Sequence, residues 1–140
     1  MTAVFHHVGF VCRDPHKVEQ WYVKHFGFKR ARVAAPGPNQ VLFLKRDDCY
    51  LEVFRATKDS PLPPPEGAGP EYPGWRHLAF KVDNIDELLV QMGPEARVTL
   101  GPLDFGEVIP GWRTVWVADP EGNIVEISQG YVDEEQPPTG

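Results

Sequence analysis

Four residues in this 140-residue chain stand out for the chemistry they could share: His7, Glu52, His77 and Glu126. Each sits in an apolar, β-branched or aromatic run. His7 lies in His7-Val8-Gly9-Phe10, Glu52 before Val53 and Phe54, His77 in His77-Leu78-Ala79-Phe80, and Glu126 between Val125 and Ile127. A polar or charged group in such a run costs free energy unless it faces solvent, is paired or is coordinated. Taken singly, each is accounted for as a solvent-facing strand residue or a satisfied core histidine. Their spacing points to a shared role. His7 and His77 are 70 residues apart, and Glu52 and Glu126 are 74 apart, as expected of an internal duplication. Equivalent strand positions in two equivalent modules point to equivalent places. Two imidazoles and two carboxylates converging on one point would suit a divalent ion such as Ni²⁺, Zn²⁺, Co²⁺, Fe²⁺ or Mn²⁺. On an octahedral ion they would leave two positions for water or a bidentate substrate.

The elements that would position these residues repeat as well. The first half reads as a strand over 4–12, a helix opened by Asp14-Pro15 and closed by Gly27, and strands near 28–35, 40–45 and 49–55. Val18, Trp21, Tyr22, His25 and Phe26 recur at three- and four-residue steps along the helix. The second half reads as a strand over 75–82, a helix capped by Asn84 and stopped by Gly93, and strands near 97–100, 113–117 and 123–128. Pro36-Gly37-Pro38-Asn39, Arg46-Asp47-Asp48 and Asp119-Pro120-Glu121-Gly122 supply turns. The expected organisation is a single domain over 1–140. It comprises a first βαβββ module at 4–58, a Pro/Gly-rich extended linker at 59–74, a second βαβββ module at 75–130 and a frayed acidic tail at 131–140.

Composition narrows the function classes. Fourteen Lys and Arg against 20 Asp and Glu give a net charge of -6 and a pI near 5.3. That balance argues against a general nucleic-acid binder or a basic membrane-surface protein. No apolar run approaches the ~20 residues of a bilayer span, and residues 1–7 lack the pattern of a signal peptide. Cys12 and Cys49 are expected to be reduced thiols, and the expected location is cytoplasmic. No nucleotide-binding glycine loop is present in the sequence.

Longer motifs carry a resemblance. Phe5-His6-His7-Val8-Gly9-Phe10-Val11, Trp21-Tyr22-Val23-Lys24-His25-Phe26-Gly27-Phe28 and Trp75-Arg76-His77-Leu78-Ala79-Phe80-Lys81-Val82 resemble strands and a helix of the vicinal oxygen chelate superfamily. That group includes glyoxalase I, bleomycin-resistance proteins, fosfomycin-resistance enzymes and extradiol dioxygenases. Val117-Ala118-Asp119-Pro120-Glu121-Gly122-Asn123-Ile124-Val125-Glu126 resembles its closing turn and ligand strand. The resemblance spans residues 4 to about 130. It implies an α+β fold of two tandem βαβββ modules forming a curled mixed sheet around a metal cleft, with metal ligands at His7, Glu52, His77 and Glu126.

This ligand set is most similar to that of the glyoxalase I branch. It implies a divalent-metal-dependent isomerase, epimerase or lyase. The enzyme would act on a small vicinal-oxygen substrate through an enediolate-type intermediate, with Glu126 or Glu52 moving the proton. Where glyoxalase I typically carries Arg and Asn to hold glutathione, this chain has Val11 and Ala56, so glutathione dependence is not expected. The alternatives are an extradiol-type dioxygenase and a non-enzymatic drug- or metabolite-binding resistance protein. Tyr50, Lys81, Arg113 and Trp112 are weaker candidates for the substrate pocket. A homodimer is expected, because clefts of this superfamily are often completed by pairing modules within or between chains.

Overall fold

The computed structural model describes residues 1–35 and 37–140. The turn expected at 36–39 includes Pro36, which lies outside the described residues. The fold is α+β, built from two βαβββ modules in tandem. The chain divides into two compact units, Met1–Pro64 with Asp119–Gly122, and Pro65–Ala118 with Asn123–Gly140.

In the first unit, β1 (His7–Cys12) leads into α1 (Pro15–Phe26), followed by β2 (Lys29–Ala34), β3 (Val41–Arg46) and β4 (Cys49–Arg55). The Asp14 side chain accepts from the Lys17 amide, Pro15 occupies the first turn, and Gly27 closes the helix at a φ of 71°. The strand order is β1-β4-β3-β2, with β1 and β4 parallel and the other pairs antiparallel. Alternation sends Cys12, Leu42, Leu44, Leu51 and Val53 to the buried face, where they form the core with Val18, Trp21, Tyr22 and Phe26 of α1. Glu19 is buried on the same helix and takes a bidentate pair from Arg30. Pairing in β1 begins at His7, opposite Tyr50, so residues 4–6 precede the ladder.

The Asp119–Gly122 turn packs in this unit. The Tyr22 hydroxyl donates to Asp119 Oδ2 at 2.9 Å, and the Glu121 amide donates to Oδ1 at 2.8 Å. Asp119 is fully buried, and its charge together with burial pushes the Tyr22 hydroxyl well above its usual pKa.

The second unit repeats the plan with β5 (Leu78–Lys81), α2 (Ile85–Met92), a short 3₁₀ turn (Gly93–Glu95), β6 (Arg97–Asp104), β7 (Arg113–Ala118) and β8 (Ile124–Gln129). The Asn84 side chain caps α2 by accepting from the Glu87 amide. The strand order is β5-β8-β7-β6, with β5 and β8 parallel. β6 runs past the expected end at residue 100. It resumes pairing at Leu103 after a register irregularity that accommodates Gly101-Pro102.

The proline-rich segment forms no helix or strand, but it is not a bare connector. Ala68 is buried against Trp116 and Ile124, with Phe105 alongside. The segment is pinned by polar contacts: Thr99 Oγ1 donates to the Gly67 carbonyl at 2.7 Å, and Arg76 Nε to the Ala68 carbonyl at 2.7 Å. Gly69 has a φ of 76°, and a Cβ there would lie 3.3 Å from the Arg76 carbonyl oxygen. A positive φ and close backbone approach together call for glycine at that point.

Candidate metal and substrate site

The duplication is reproduced in strand register. In the first sheet Gly9, two residues after His7, pairs with Glu52. In the second, Ala79, two residues after His77, pairs with Glu126. Each histidine therefore lies one same-face step from the residue opposite its glutamate. The two side chains meet diagonally across a parallel pair of strands.

His7 Nε2 lies 2.9 Å from Glu52 Oε2, and His77 Nε2 lies 3.3 Å from Glu126 Oε2. The other ring nitrogens are engaged too. His7 Nδ1 is 2.8 Å from His6 Nδ1, and the His6 ring stacks on Tyr50 at 4.8 Å. His77 Nδ1 is 3.4 Å from the Ala68 carbonyl oxygen. A backbone carbonyl accepts only, so an Nδ1–H would donate to it, and the tautomer with its single proton on Nδ1 presents the Nε2 lone pair towards Glu126. Holding one ring nitrogen so that the other can coordinate is how metal-binding histidines are oriented.

The donor set fits a divalent ion. Two donors on one ion at ~2.1 Å stand ~3.0 Å apart at a right angle and ~3.4 Å apart at a tetrahedral angle. The observed separations, 2.9 and 3.3 Å, lie within about 0.1 Å of those two values. The side chains of Glu52, His77 and Glu126 are 17–19% exposed and that of His7 38%, so each pair is accessible to an ion. The four residues are gathered two by two, each pair within its own unit. Among the described residues there is no group of three or more His, Cys, Asp or Glu side chains arranged to hold an ion.

The weaker candidates fall in different places. Tyr50 shares the face of His7 and Glu52, flanked by His6 and by Lys45, whose Nζ lies 5.5 Å from the ring centroid. Lys81 pairs in register with Ser128 on the face of Glu126. Trp112 Nε1 donates to Ser128 Oγ at 3.1 Å, and its ring packs on Phe105 and Tyr131. Arg113 alternates to the opposite face of β7 from Trp116 and makes a two-point pair with Asp86 of α2 at 3.0 and 3.3 Å. Hydrogen bonding to Arg113 holds the Asp86 carboxyl below its usual pKa.

Three features were not singled out from sequence. The Tyr22–Asp119 contact joins residues 97 positions apart, and only the Asp-Pro-x-Gly turn signal marked one end of it. The Ala68 carbonyl lies in a segment that composition identified only as unable to form a ladder. Thr114 lies inside an apolar strand, where nothing in the local pattern distinguished it.

The chain belongs to the Glyoxalase/Bleomycin resistance protein/Dioxygenase superfamily, whose pattern it matches over residues 4–127. It is 30% identical over 125 residues to "Uncharacterized protein YwkD" of Bacillus subtilis (strain 168), covering 87% of this chain and 93% of that protein. Among solved structures it is similar to the glyoxalase family protein from Enterococcus faecalis, at 28% identity and a TM-score of 0.63, covering 89% of this chain and 96% of the other. It shares its fold with lactoylglutathione lyase from Agrobacterium tumefaciens, at 23% identity and a TM-score of 0.61, covering 92% and 95% of the two chains. The described residues include no helix long and apolar enough to cross a membrane.

Proposed function

We propose that this chain is a divalent-metal-dependent isomerase, epimerase or lyase acting on a small substrate with two vicinal oxygens. The reading places His7, Glu52, His77 and Glu126 as the ligands of one ion. The observation that carries it is the pair of equivalent His–Glu contacts, 2.9 and 3.3 Å, at matching register positions in the two sheets. The likeness to a glyoxalase family protein supports the same class.

When bound, the ion supplies positive charge that polarises a substrate oxygen and lowers the pKa of the adjacent C–H. The chain's own residues do the rest. Glu126, or Glu52 in the equivalent place, takes the proton from that carbon and returns it, in the manner of a positioned general base. The Ala68 carbonyl keeps His77 in the tautomer that presents Nε2. Phe43 and Tyr50, which pair in register with Glu52 and His7, flank the first pair with aromatic rings. Val11 and Ala56 offer no charged or amide donor for glutathione, so the proposed substrate is not a glutathione adduct.

A four-ligand centre requires both pairs at one point. We include in the proposal a homodimer in which modules pair to complete the site, and a cytoplasmic location. Equilibrium sedimentation at micromolar concentration tests the dimer. A monomer with full metal binding would remove the need for a partner subunit. Oxygen uptake on addition of catechols would instead favour a dioxygenase. Metal-independent ligand binding without turnover would favour a binding protein.

A further inference from the structure

The face of the second sheet that bears Glu126 carries an unusual set of polar groups. Register places Lys81, Ser128 and Thr114 side by side across β5, β8 and β7. The neighbouring row on that face is Ala79, Glu126 and Trp116. Thr114 is fully buried and Trp116 is 6% exposed. Thr114 Oγ1 and Trp116 Nε1 are buried polar atoms with no hydrogen-bond partner among the described residues. Native structures rarely leave such groups unpaired, because each costs stability. Both lie on the face of Glu126, the residue proposed as the base, where a ligand group could supply the missing partner.

The chemistry of the row specifies that ligand. An indole N–H donates only, and an ammonium donates only. Ser128 Oγ accepts from Trp112 Nε1 and keeps its O–H to donate to a ligand. Thr114 adds a further hydroxyl. Arg113 of β7 lies on the opposite face and is paired with Asp86, which leaves Lys81 as the positive charge of the row. A set of donors with one positive charge suits an acceptor-only anion.

Same-face positions along a strand are ~6.6 Å apart and neighbouring strands ~4.8 Å apart. The row is therefore one step from Glu126, within reach of a group one or two carbons beyond the reacting atoms. We propose that Lys81, Ser128 and Thr114, with Trp116 beside them, form a subsite for a carboxylate that the substrate carries in addition to its two vicinal oxygens. The proposal rests on the metal reading above and names the substrate class for it, a hydroxy- or oxo-acid with a second carboxylate.

The test compares malate with 2-hydroxybutyrate, which has a methyl group in place of the second carboxylate. Co²⁺ binding to the full-length protein is first measured by calorimetry, and each acid is then titrated in. The expected result is at least about tenfold tighter binding of malate, the scale of a charge-assisted contact. Lys81→Met and Thr114→Val should each abolish that preference while leaving Co²⁺ and 2-hydroxybutyrate binding unchanged. Thr114→Val should also raise the melting temperature, because it removes an unpaired buried hydroxyl. Equal affinities for the two acids, an equal loss of both acids in the variants, or a lowered melting temperature for Thr114→Val would overturn the subsite. Absence of Co²⁺ binding would overturn the metal reading alone. The malate preference is then read on the metal-free protein by saturation-transfer NMR, with the same two outcomes.

Discussion

His77 and Glu126 face each other at 3.3 Å through Nε2 and Oε2, while the opposite nitrogen of the same ring is held by the Ala68 carbonyl at 3.4 Å. With its single proton on Nδ1, the ring would offer the Nε2 lone pair beside the carboxylate, two acceptors that a shared cation could bridge. Replacing the ring would remove one of the proposed ligands. His77→Ala should therefore lose metal affinity and turnover in parallel. Calorimetry and an activity assay on one preparation would check this. Retained metal affinity with lost turnover would assign His77 to proton transfer instead.

Glu126→Gln should behave differently. The amide oxygen still coordinates weakly, but it cannot accept the substrate proton. Turnover should fall by about 10²–10⁴-fold, the usual contribution of a general base, and metal affinity by less. On the proposed mechanism, solvent deuterium should appear at the carbon beside the chelating oxygen in the native protein, read by NMR. Near-normal turnover in Glu126→Gln would move the base to Glu52.

The Tyr22–Asp119 hydrogen bond predicts a stability effect with no direct bearing on the chemistry. Tyr22→Phe leaves a fully buried carboxylate short of one donor. It should cost about 1–3 kcal/mol in urea unfolding. A change within about 0.5 kcal/mol, the level of an ordinary surface substitution, would show that the Asp119 carboxylate does not depend on this hydroxyl.

The two thiols should react at very different rates. Burial, and then the nearby carboxylates of Glu121, Asp119 and Asp14, push the Cys12 thiol up to about 12, whereas Cys49 is exposed. A raised pKa means that Cys12 is protonated throughout the neutral range, and the thiol form is the unreactive one. A disulfide-exchange reagent at pH 8 should label one thiol per native chain quickly, and Cys49→Ser should abolish that fast phase. A fast phase of two thiols would contradict the buried placement of Cys12.

Much of this architecture was legible because the duplication is written in strands. The alternation in His7-Val8-Gly9-Phe10 and His77-Leu78-Ala79-Phe80 fixes which face each histidine takes. The matching Gly9–Glu52 and Ala79–Glu126 registers follow from the same period of two. Both helices begin where Asp14 and Asn84 cap them and end at Gly27 and Gly93. The rest depended on tertiary contacts that no local pattern encodes. Proline content shows that the segment before Trp75 cannot form a ladder, but not that Ala68 buries itself on Trp116. A buried threonine reads like any other β-branched strand residue, and only a full inventory of hydrogen bonds marks Thr114 as unpaired.

Titration of the metal-free protein with Co²⁺ tests whether a single ion is held by the two His–Glu pairs. The native protein should bind one ion per chain, with binding lost or severely weakened in each of His7→Ala, Glu52→Ala, His77→Ala and Glu126→Ala. No binding by the native protein would contradict it. So would variants in only one of the two pairs affecting the ion, because the site would then be a single pair and the duplication would have no part in it.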